Sequence, residues 1–315
     1  MSGRAGRLFQ NSIILCLCAL ACTALWGSAF PCIKIGYSLF SIDSSDTATV
    51  ILFAGIRFCG AGVLTILFGS LGQKNFLHPS CGSWGRVIVL CLFQTVIQYT
   101  LFYIGLAHTT GVKGSILQGC GTLFAILFSC ILFADEHFTP ARISGCAAGF
   151  AGMLLVNLTG SGFTGGFTFI GEGFMILSSV SYAFSSLFLK RFSAKDSPVM
   201  LSGWQFFLGG AVMICIGAAS GGHLEAASAA SALLLLYMMF ISAAAYTLWG
   251  LLLKYNPVSR VAVFGFMTPV FGVLFSALLL GEQGSLGIQT LAALLLVCIG
   301  IYLVNRGKPE KTSDA

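Results

Sequence analysis

The chain has 315 residues, of which 57% are hydrophobic and only 8% are charged. Soluble domains carry about 25% charged residues, so this composition excludes an ordinary soluble protein and predicts a polytopic membrane protein. The net charge of +6 would suggest a nucleic-acid partner in a soluble protein. Here we interpret the basic residues as topology anchors and expect no nucleic-acid binding. The apolar runs are continuous and about 20 residues long, which favours helices over the strands of a barrel.

The first apolar run follows Arg4 and Arg7, as in a signal peptide, but extends to Leu39 and exceeds a signal core. It is therefore predicted to be an uncleaved first span. The twelve cysteines lie mostly within apolar runs, without a CxxC pair or a Cys/His cluster. We interpret them as small apolar residues, and we expect no metal site and no cofactor.

Further along the chain, the apolar runs predict ten transmembrane helices. The glycine-rich segment 159–169 is uncharged and predicts a mobile linker between the fifth and sixth helices. It separates a first unit, 1–158, from a second unit, 170–305, and a cytoplasmic tail follows at 306–315. The ten predicted helices are residues 12–37, 48–70, 85–107, 112–133, 140–158, 170–190, 198–219, 231–253, 259–280 and 286–304.

Lysine and arginine positions predict the orientation of these helices, because basic residues concentrate in cytoplasmic loops. With the N-terminus in the cytoplasm, thirteen of the sixteen basic residues fall in cytoplasmic segments. Lys34 and Lys113 fall outside, and Arg57 lies within a span. A missed span would scramble this division. The sequence therefore predicts ten spans with both termini in the cytoplasm.

The two halves repeat each other in sequence, in the same order and at nearly constant shifts. Because each half has five helices, the second half enters the membrane from the opposite side, which makes an inverted repeat. Secondary transporters have this architecture, with a substrate site near the midplane between the halves. The matches, at shifts of 147, 148 and 146 residues, are Tyr99-Thr100-Leu101-Phe102 with Tyr246-Thr247-Leu248-Trp249, Gly55-Ile56-Arg57-Phe58 with Gly203-Trp204-Gln205-Phe206, and Glu136 with Glu282.

Four motifs occur in order along the helices: Leu25-Trp26-Gly27-Ser28-Ala29-Phe30, Arg57, the two Tyr-Thr-Leu-aromatic segments, and Gly281-Glu282 before the last helix. With them, the chain resembles the EamA-type transporters of the drug/metabolite transporter superfamily over about residues 13–304. The resemblance implies an inner-membrane carrier of small metabolites, often amino acids and often moved outward. The chain departs from the family at Asp135-Glu136, where the counterpart of Gly281-Glu282 lacks its glycine.

Polar and aromatic residues at helical spacing predict a substrate cavity. The fourth helix carries Ser115, Gln118, Thr122, Ala125 and Ser129 on one face, opposite a more aromatic face on the ninth helix. Small polar residues also pack helices together, and the glutamines of the third helix could equally bond a neighbouring helix. The candidate cavity residues are Trp26, Gln94, Gln98, Tyr99, Gln118, Thr122, Tyr182, Ser185, Tyr246, Trp249, Phe264 and Thr268.

Arg57 lies in the middle of the second predicted helix, where an arginine costs about 2.5–3.5 kcal/mol on insertion scales. It needs a protein partner, a water-filled cavity or a substrate. Its repeat mate is Gln205, which is polar but neutral. The property that the two positions share is therefore hydrogen bonding, and not charge. This favours a structural or gating role for Arg57 and Gln205 over direct contact of Arg57 with a substrate anion.

The sequence places no Asp or Glu deep within a span, which argues against a proton-coupled exchanger of cationic drugs. It also has no P-loop and no convincing catalytic constellation, so we expect no enzyme activity. The leading hypothesis is a carrier that exports a small neutral or zwitterionic metabolite, such as an amino acid, by alternating access. Its expected partners are that solute and the lipid bilayer, and it functions as a monomer or a homodimer.

Two other hypotheses stay open. The first is uptake of an organic anion, which would suit Arg57, or of a choline-like cation, which would suit an aromatic cage. The second is a membrane-embedded enzyme that modifies a lipid. Such an enzyme usually has acidic metal ligands at a membrane face, and Asp135-Glu136 is the only adjacent acidic pair.

Overall fold

The computed structural model describes residues 2–109, 111–157, 167–225, 228–280 and 288–306, and these residues form helices and no strands. Residues 159–166 of the predicted linker, Gly281-Glu282 and residues 307–315 of the predicted tail lie outside the described residues. In chain order the helices are α1 (Ser2–Gln10), α2 (Ser12–Leu39), α3 (Thr47–Gln73), α4 (Trp84–Ala107), α5 (Gly111–Leu132), α6 (Pro140–Asn157), α7 (Phe169–Ser193), α8 (Pro198–Ala219), α9 (Ala229–Tyr255), α10 (Val258–Leu279) and α11 (Ile288–Arg306).

Seven of these helices, α2, α3, α4, α7, α8, α9 and α10, are long and apolar enough to cross a membrane. The apolar parts of α5 and α11, Ile116–Leu132 and Thr290–Arg306, are shorter. Many large apolar side chains face outward, among them Leu71 at 73% and Leu278 at 74% exposure. Water would not tolerate so much exposed apolar surface, whereas lipid covers it. The chain is therefore a multi-pass membrane protein.

Polar side chains just before the apolar runs cap the N-termini of the first two long helices. Asn11 accepts hydrogen bonds from the backbone N–H groups of Ile13 and Ile14 at the start of α2. Asp46 does the same for the second and third residues of α3, and its other oxygen accepts from the Thr49 hydroxyl at 2.6 Å. These hydrogen bonds, that from the Thr49 hydroxyl first, lower the pKa of Asp46. Both residues satisfy N–H groups that no preceding turn can reach.

Glycines join α3 to α8 and α6 to α11 along two close seams. A Cβ added at Gly210 would lie 2.2 Å from the backbone nitrogen of Cys59, and one at Gly62 would lie 2.3 Å from that of Phe207. Along the other seam, a Cβ at Gly300 would lie 2.6 Å from the carbonyl oxygen of Gly145. Only glycine permits backbones to approach so closely. Each seam joins a helix of the first half to its sequence mate in the second half.

The helices of the first seam run antiparallel. Gly62, late in α3, lies against Gly203 and Phe207, early in α8. Leu52, early in α3, lies against Gly217, late in α8. Arg57 and Gln205 follow Gly55 and Gly203 by two residues, which is about 200° of helical rotation, so they lie on the faces of α3 and α8 that point away from this seam.

Substitution of Gly210 by alanine tests the seam. The new Cβ meets backbone atoms that cannot turn aside, so we expect Gly210→Ala to lower the free energy of unfolding by about 1–3 kcal/mol, despite the better helix propensity of alanine. Gly72→Ala is the matched control, because nothing lies within 4 Å of a Cβ at that position. Thermal unfolding of the purified protein in detergent measures both variants. Equal melting temperatures for the two variants would contradict close packing at Gly210.

Candidate functional site

A cavity of about 140 Å³ lies in the middle of the helices. Its volume is close to that of an apolar protein cavity of ~150 Å³ that holds benzene. Helices α2, α3, α4 and α5 from the first half and α7, α9 and α10 from the second half contribute to its walls. The lining residues are Trp26, Ala29, Phe30, Ile33, Arg57, Gln98, Tyr99, Phe102, Tyr103, Gln118, Gly119, Thr122, Tyr182, Tyr246, Gly265, Thr268 and Pro269.

An irregular turn in α4 aims Gln98 and Tyr99 at this cavity. Residues Cys91–Ile97 form a π-helical segment, in which the backbone hydrogen bonds span five residues instead of four. Serines of α7 hold the segment in place: the Ser181 hydroxyl donates to the Phe93 carbonyl at 2.6 Å, and the Ser178 hydroxyl donates to the Gln98 carbonyl at 2.8 Å. Hydrogen bonds of this kind satisfy carbonyls that a widened turn leaves without their regular partners.

A second irregular segment forms the α10 wall. Residues Val263–Phe266 form a 3₁₀ turn within α10, and Pro269 follows one turn later. Proline lacks the N–H that would bond the carbonyl four residues earlier, which is that of Gly265. Gly265 lies against Thr122 of α5, since an added Cβ would be 2.4 Å from the Thr122 hydroxyl oxygen. The α10 wall is therefore backbone, threonine and proline.

The aromatic part of the lining comes instead from α2, α4, α7 and α9. Tyr99 and Tyr246, which are repeat mates, meet with their hydroxyl oxygens 2.5 Å apart. Trp26 packs edge-on against Tyr246, with ring centroids 5.0 Å apart, and against Trp249 at 4.9 Å. The two halves of the chain thus touch directly at the cavity through symmetry-related side chains.

Several buried polar atoms at the cavity have no hydrogen-bond partner within the described part of the chain. They are the indole Nε1 of Trp26, the Nε of Arg57 and the amide oxygens of Gln98 and Gln118. Since the oxygen and nitrogen of a glutamine amide are assigned from hydrogen bonding, each glutamine offers one amide end without a partner. A buried polar group without a partner is costly. The cavity therefore offers both donors and acceptors to a solute.

Arg57 is 4% exposed and lies with its guanidinium 5.2 Å from the centroid of the Phe58 ring. The hydroxyls of Tyr37, Tyr99 and Tyr103 lie within its electrostatic influence. Among the described residues, Arg57 donates no hydrogen bond to a backbone carbonyl, and no Asp or Glu lines the cavity. Gln205 lies elsewhere: its side-chain oxygen accepts from the Thr95 hydroxyl at 2.6 Å, outside the cavity lining.

One end of the bundle is closed by contacts between the halves. Glu136, in the turn between α5 and α6, is 1% exposed and accepts hydrogen bonds from the N–H groups of Val258 and Ser259 at 2.5 and 2.9 Å. It thereby caps α10, and a carboxylate is stabilised at a helix N-terminus. Beside it, Lys190 of α7 donates to the carbonyl of Asn256 at 2.6 Å.

At the same end, Asp196 joins the turn after α7 to the start of α4. Its carboxylate accepts a hydrogen bond from the Ser83 hydroxyl at 2.7 Å and forms a salt bridge with Arg86. Burial raises the pKa of Asp196, but the hydrogen bonds from Arg86 and Ser83 outweigh it, and the pKa is lowered. Between this closed end and the cavity lies an apolar cluster that includes Leu15, Leu187 and Leu252.

The structure brings eight of the twelve sequence-predicted cavity residues to the cavity: Trp26, Gln98, Tyr99, Gln118, Thr122, Tyr182, Tyr246 and Thr268. Gln94, Ser185, Trp249 and Phe264 are buried but do not line it. Trp249 packs edge-on against the ring of Trp26, and Phe264 belongs to the apolar cluster that includes Leu15. The sequence analysis missed Phe30, Phe102 and Tyr103, which lie within one turn of predicted residues, and did not place Arg57 in the lining.

A cavity lined by polar and aromatic side chains within apolar helices is the kind of site at which membrane transporters bind a small solute. The family model of the EamA-like transporter family matches residues 13–158 and 169–306. The chain belongs to this family, whose members are membrane transporters of small substrates. The family comprises two repeats, and the two matched ranges span both halves of the chain.

Similar proteins agree with this assignment. An uncharacterized transporter of Synechocystis is 25% identical over 303 residues. The match covers 91% of this chain and 88% of that protein. A chloroplastic WAT1-related protein of Arabidopsis thaliana is 26% identical, covering 80% of this chain and 62% of its own. A solved crystal structure has a TM-score of 0.74 at 17% identity, covering 92% of this chain and 96% of its own, which shows a shared fold.

Substitution of Glu136 by glutamine tests the closed end. The neutral amide keeps one acceptor oxygen but loses the charge-assisted bonds to two backbone N–H groups, so we expect Glu136→Gln to destabilise the protein by about 1–3 kcal/mol. Asp135→Asn is the matched control, because Asp135 is exposed and we expect a change within about 0.5 kcal/mol. Chemical unfolding in detergent compares the two. A larger loss in the Asp135 variant would refute the cap.

Proposed function

We propose that this protein is a secondary-active or facilitative carrier that moves a small neutral or zwitterionic metabolite, such as an amino acid, out of the cell by alternating access. One observation carries the proposal. A cavity lies between the two halves, draws its walls from both, and is closed at one end by contacts such as that of Glu136 with Val258. A site open to one side at a time is what alternating access requires.

The proposed topology has ten spans in the cytoplasmic membrane, in two inverted five-helix repeats with both termini in the cytoplasm. The repeats are residues 1–158 and 170–305, joined by the linker 159–169 and followed by the tail 306–315. Antiparallel packing of α3 on its mate α8 supports the inversion, since an axis in the membrane plane reverses mate helices. The excess of basic residues at the closed end supports its assignment to the cytoplasm.

The substrate class follows from the lining. The cavity has the size of a small solute and offers an indole N–H, a guanidinium, two amides and hydroxyls among aromatic rings. Such a site suits a molecule with polar and apolar parts. Outward transport is what the resemblance to metabolite exporters implies.

A second candidate is a carrier of organic anions, and the position of Arg57 in the cavity lining favours it. A choline-like cation would find the aromatic rings of Trp26 and Tyr246, but also the repulsion of Arg57. For a lipid-modifying enzyme, the adjacent acidic pair would have to bind a metal. Glu136 is instead engaged with the start of α10.

Counterflow in proteoliposomes tests the carrier. Liposomes are loaded with one unlabelled amino acid at a time. If that amino acid is a substrate, they are expected to accumulate its labelled form from outside. Thr122→Trp should abolish the exchange, because the indole fills a cavity of about 140 Å³. Leu278→Trp, on a side chain that is 74% exposed, is the matched control and should exchange normally. If no amino acid or related metabolite exchanges, the proposed substrate class is wrong.

Cys81 tests the orientation, because it is exposed and lies between α3 and α4 on the side proposed to be cytoplasmic. A membrane-impermeant maleimide is expected to label it in inside-out vesicles and not in intact cells. Cys81→Ser identifies the signal by its loss. Labelling of Cys81 in intact cells would place this turn outside and reverse the proposed topology.

A further inference from the structure

Arg57 is the one described lining residue that combines three properties. It is cationic, it is only 4% exposed, and it borders the cavity. A cation in this position lies at membrane depth, where it needs a compensating negative charge or dipoles. The question is what supplies them.

The protein supplies only part of this compensation. The Phe58 ring faces the guanidinium at 5.2 Å, and tyrosine hydroxyls lie around it. Its Nε has no partner among the described residues, and no described carboxylate lines the cavity. A neutral ring and hydroxyls orient a cation but do not neutralise it. A hydrogen bond with the Tyr103 hydroxyl takes up one part of the guanidinium, and the remaining N–H donors, Nε among them, are available to another group.

We propose that Arg57 is the residue that selects the substrate, by donating to a carboxylate of the transported solute. This inference rests on the proposed function and narrows its substrate class to carboxylates, including the zwitterionic amino acids. The fork of guanidinium N–H groups matches the two oxygens of a carboxylate.

The remaining polar ends of the cavity fit the rest of such a solute. The amide ends of Gln98 and Gln118 that lack partners provide acceptors for an ammonium group, and they lie on α4 and α5, whereas Arg57 lies on α3. Trp26, Phe102 and Tyr246 provide apolar contact. A carboxylate at one end, a donor group at another and an apolar part between them describe an amino acid.

Three aromatic probes of similar size test this inference without knowledge of the natural substrate. Benzoate carries a carboxylate, benzamide is its neutral analogue, and benzylammonium carries a positive charge. The shift in melting temperature of the purified wild-type protein is measured against the concentration of each probe. We expect benzoate to stabilise the protein at lower concentration than benzamide, and the cation to stabilise it least. Equal stabilisation by benzoate and benzamide, or none by benzoate, would overturn the inference.

Variants then assign the preference to Arg57. In Arg57→Gln the apparent affinity for benzoate should fall about tenfold or more relative to benzamide, and Arg57→Lys should restore part of it. Gln205→Leu is the matched control, because it removes the buried polar side chain of the repeat mate, which bonds Thr95 and does not line the cavity. It should lower the melting temperature and keep the preference for benzoate. An unchanged preference in Arg57→Gln would show that the carboxylate binds elsewhere.

The outcome is separable from that of the proposed function. If counterflow fails while benzoate binding depends on Arg57, the carboxylate site stands and the transport proposal falls. If amino acids exchange but Arg57→Gln exchanges them with the wild-type order of preference, transport stands and the role of Arg57 falls. Should Arg57→Gln fail to fold, Arg57→Lys is compared with wild type, since lysine keeps the charge but loses the fork of N–H groups. A weaker preference for benzoate over benzamide in Arg57→Lys would then support the inference, and an unchanged preference would contradict it.

Discussion

Within a bilayer, water is absent, and each polar group that lacks a protein partner costs several kcal/mol. Many interior contacts of this protein meet that constraint. Serine hydroxyls of α7 donate to carbonyls of the widened turn in α4, as Ser181 does to Phe93. Glu136 accepts from the N–H groups at the start of α10. Among the buried polar groups that lack a partner in the described part of the chain, those of Trp26, Arg57, Gln98 and Gln118 lie at one cavity.

The same constraint separates rigid contacts from exchangeable ones. The two glycine seams hold backbones against each other, as where Gly210 meets Cys59, and such packing cannot slide without losing many contacts at once. At the cavity, the halves also meet through side chains, as in the hydrogen bond between Tyr99 and Tyr246, worth about 0.5–1.5 kcal/mol. Under the proposed mechanism, a change of access therefore alters the side-chain contacts and preserves the seams.

Much of this was predictable from the sequence, because lipid exposure makes hydropathy and periodicity strong signals. The family and the multi-pass helical fold were predicted correctly. The cavity residues predicted from spacing on regular helices, such as Gln118 and Thr122, line the cavity together. Gln94 and Gln98 were both predicted to line the cavity, but Gln94 lies within the π-helical segment and only Gln98, which follows it, lines the cavity. No local pattern in Cys91–Ile97 marks that turn, which depends on serines of a distant helix.

Long-range partners explain the other differences. The sequence showed Glu136 as part of a repeated motif, but its role depends on Val258, which is 122 residues away. Gln205 was predicted to share the role of Arg57 because the two are repeat mates. In the structure, Thr95 satisfies the Gln205 side-chain oxygen, whereas Arg57 faces the cavity. An inverted repeat fixes which positions correspond, but the local partners of two mates differ wherever the two halves differ in sequence.

This asymmetry has an energetic consequence for a carrier. An arginine at the centre of a helix costs about 2.5–3.5 kcal/mol on insertion scales, and an anionic solute that relieves this cost gains at most about two orders of magnitude in affinity. A neutral pair of mates would offer no such gain. The charge also limits how tightly the solute is held, because opening of the cavity rehydrates the guanidinium and removes the advantage of the ion pair. One unmatched arginine in a nearly symmetric protein can thus favour retention of the solute in the closed cavity and its release from the open one.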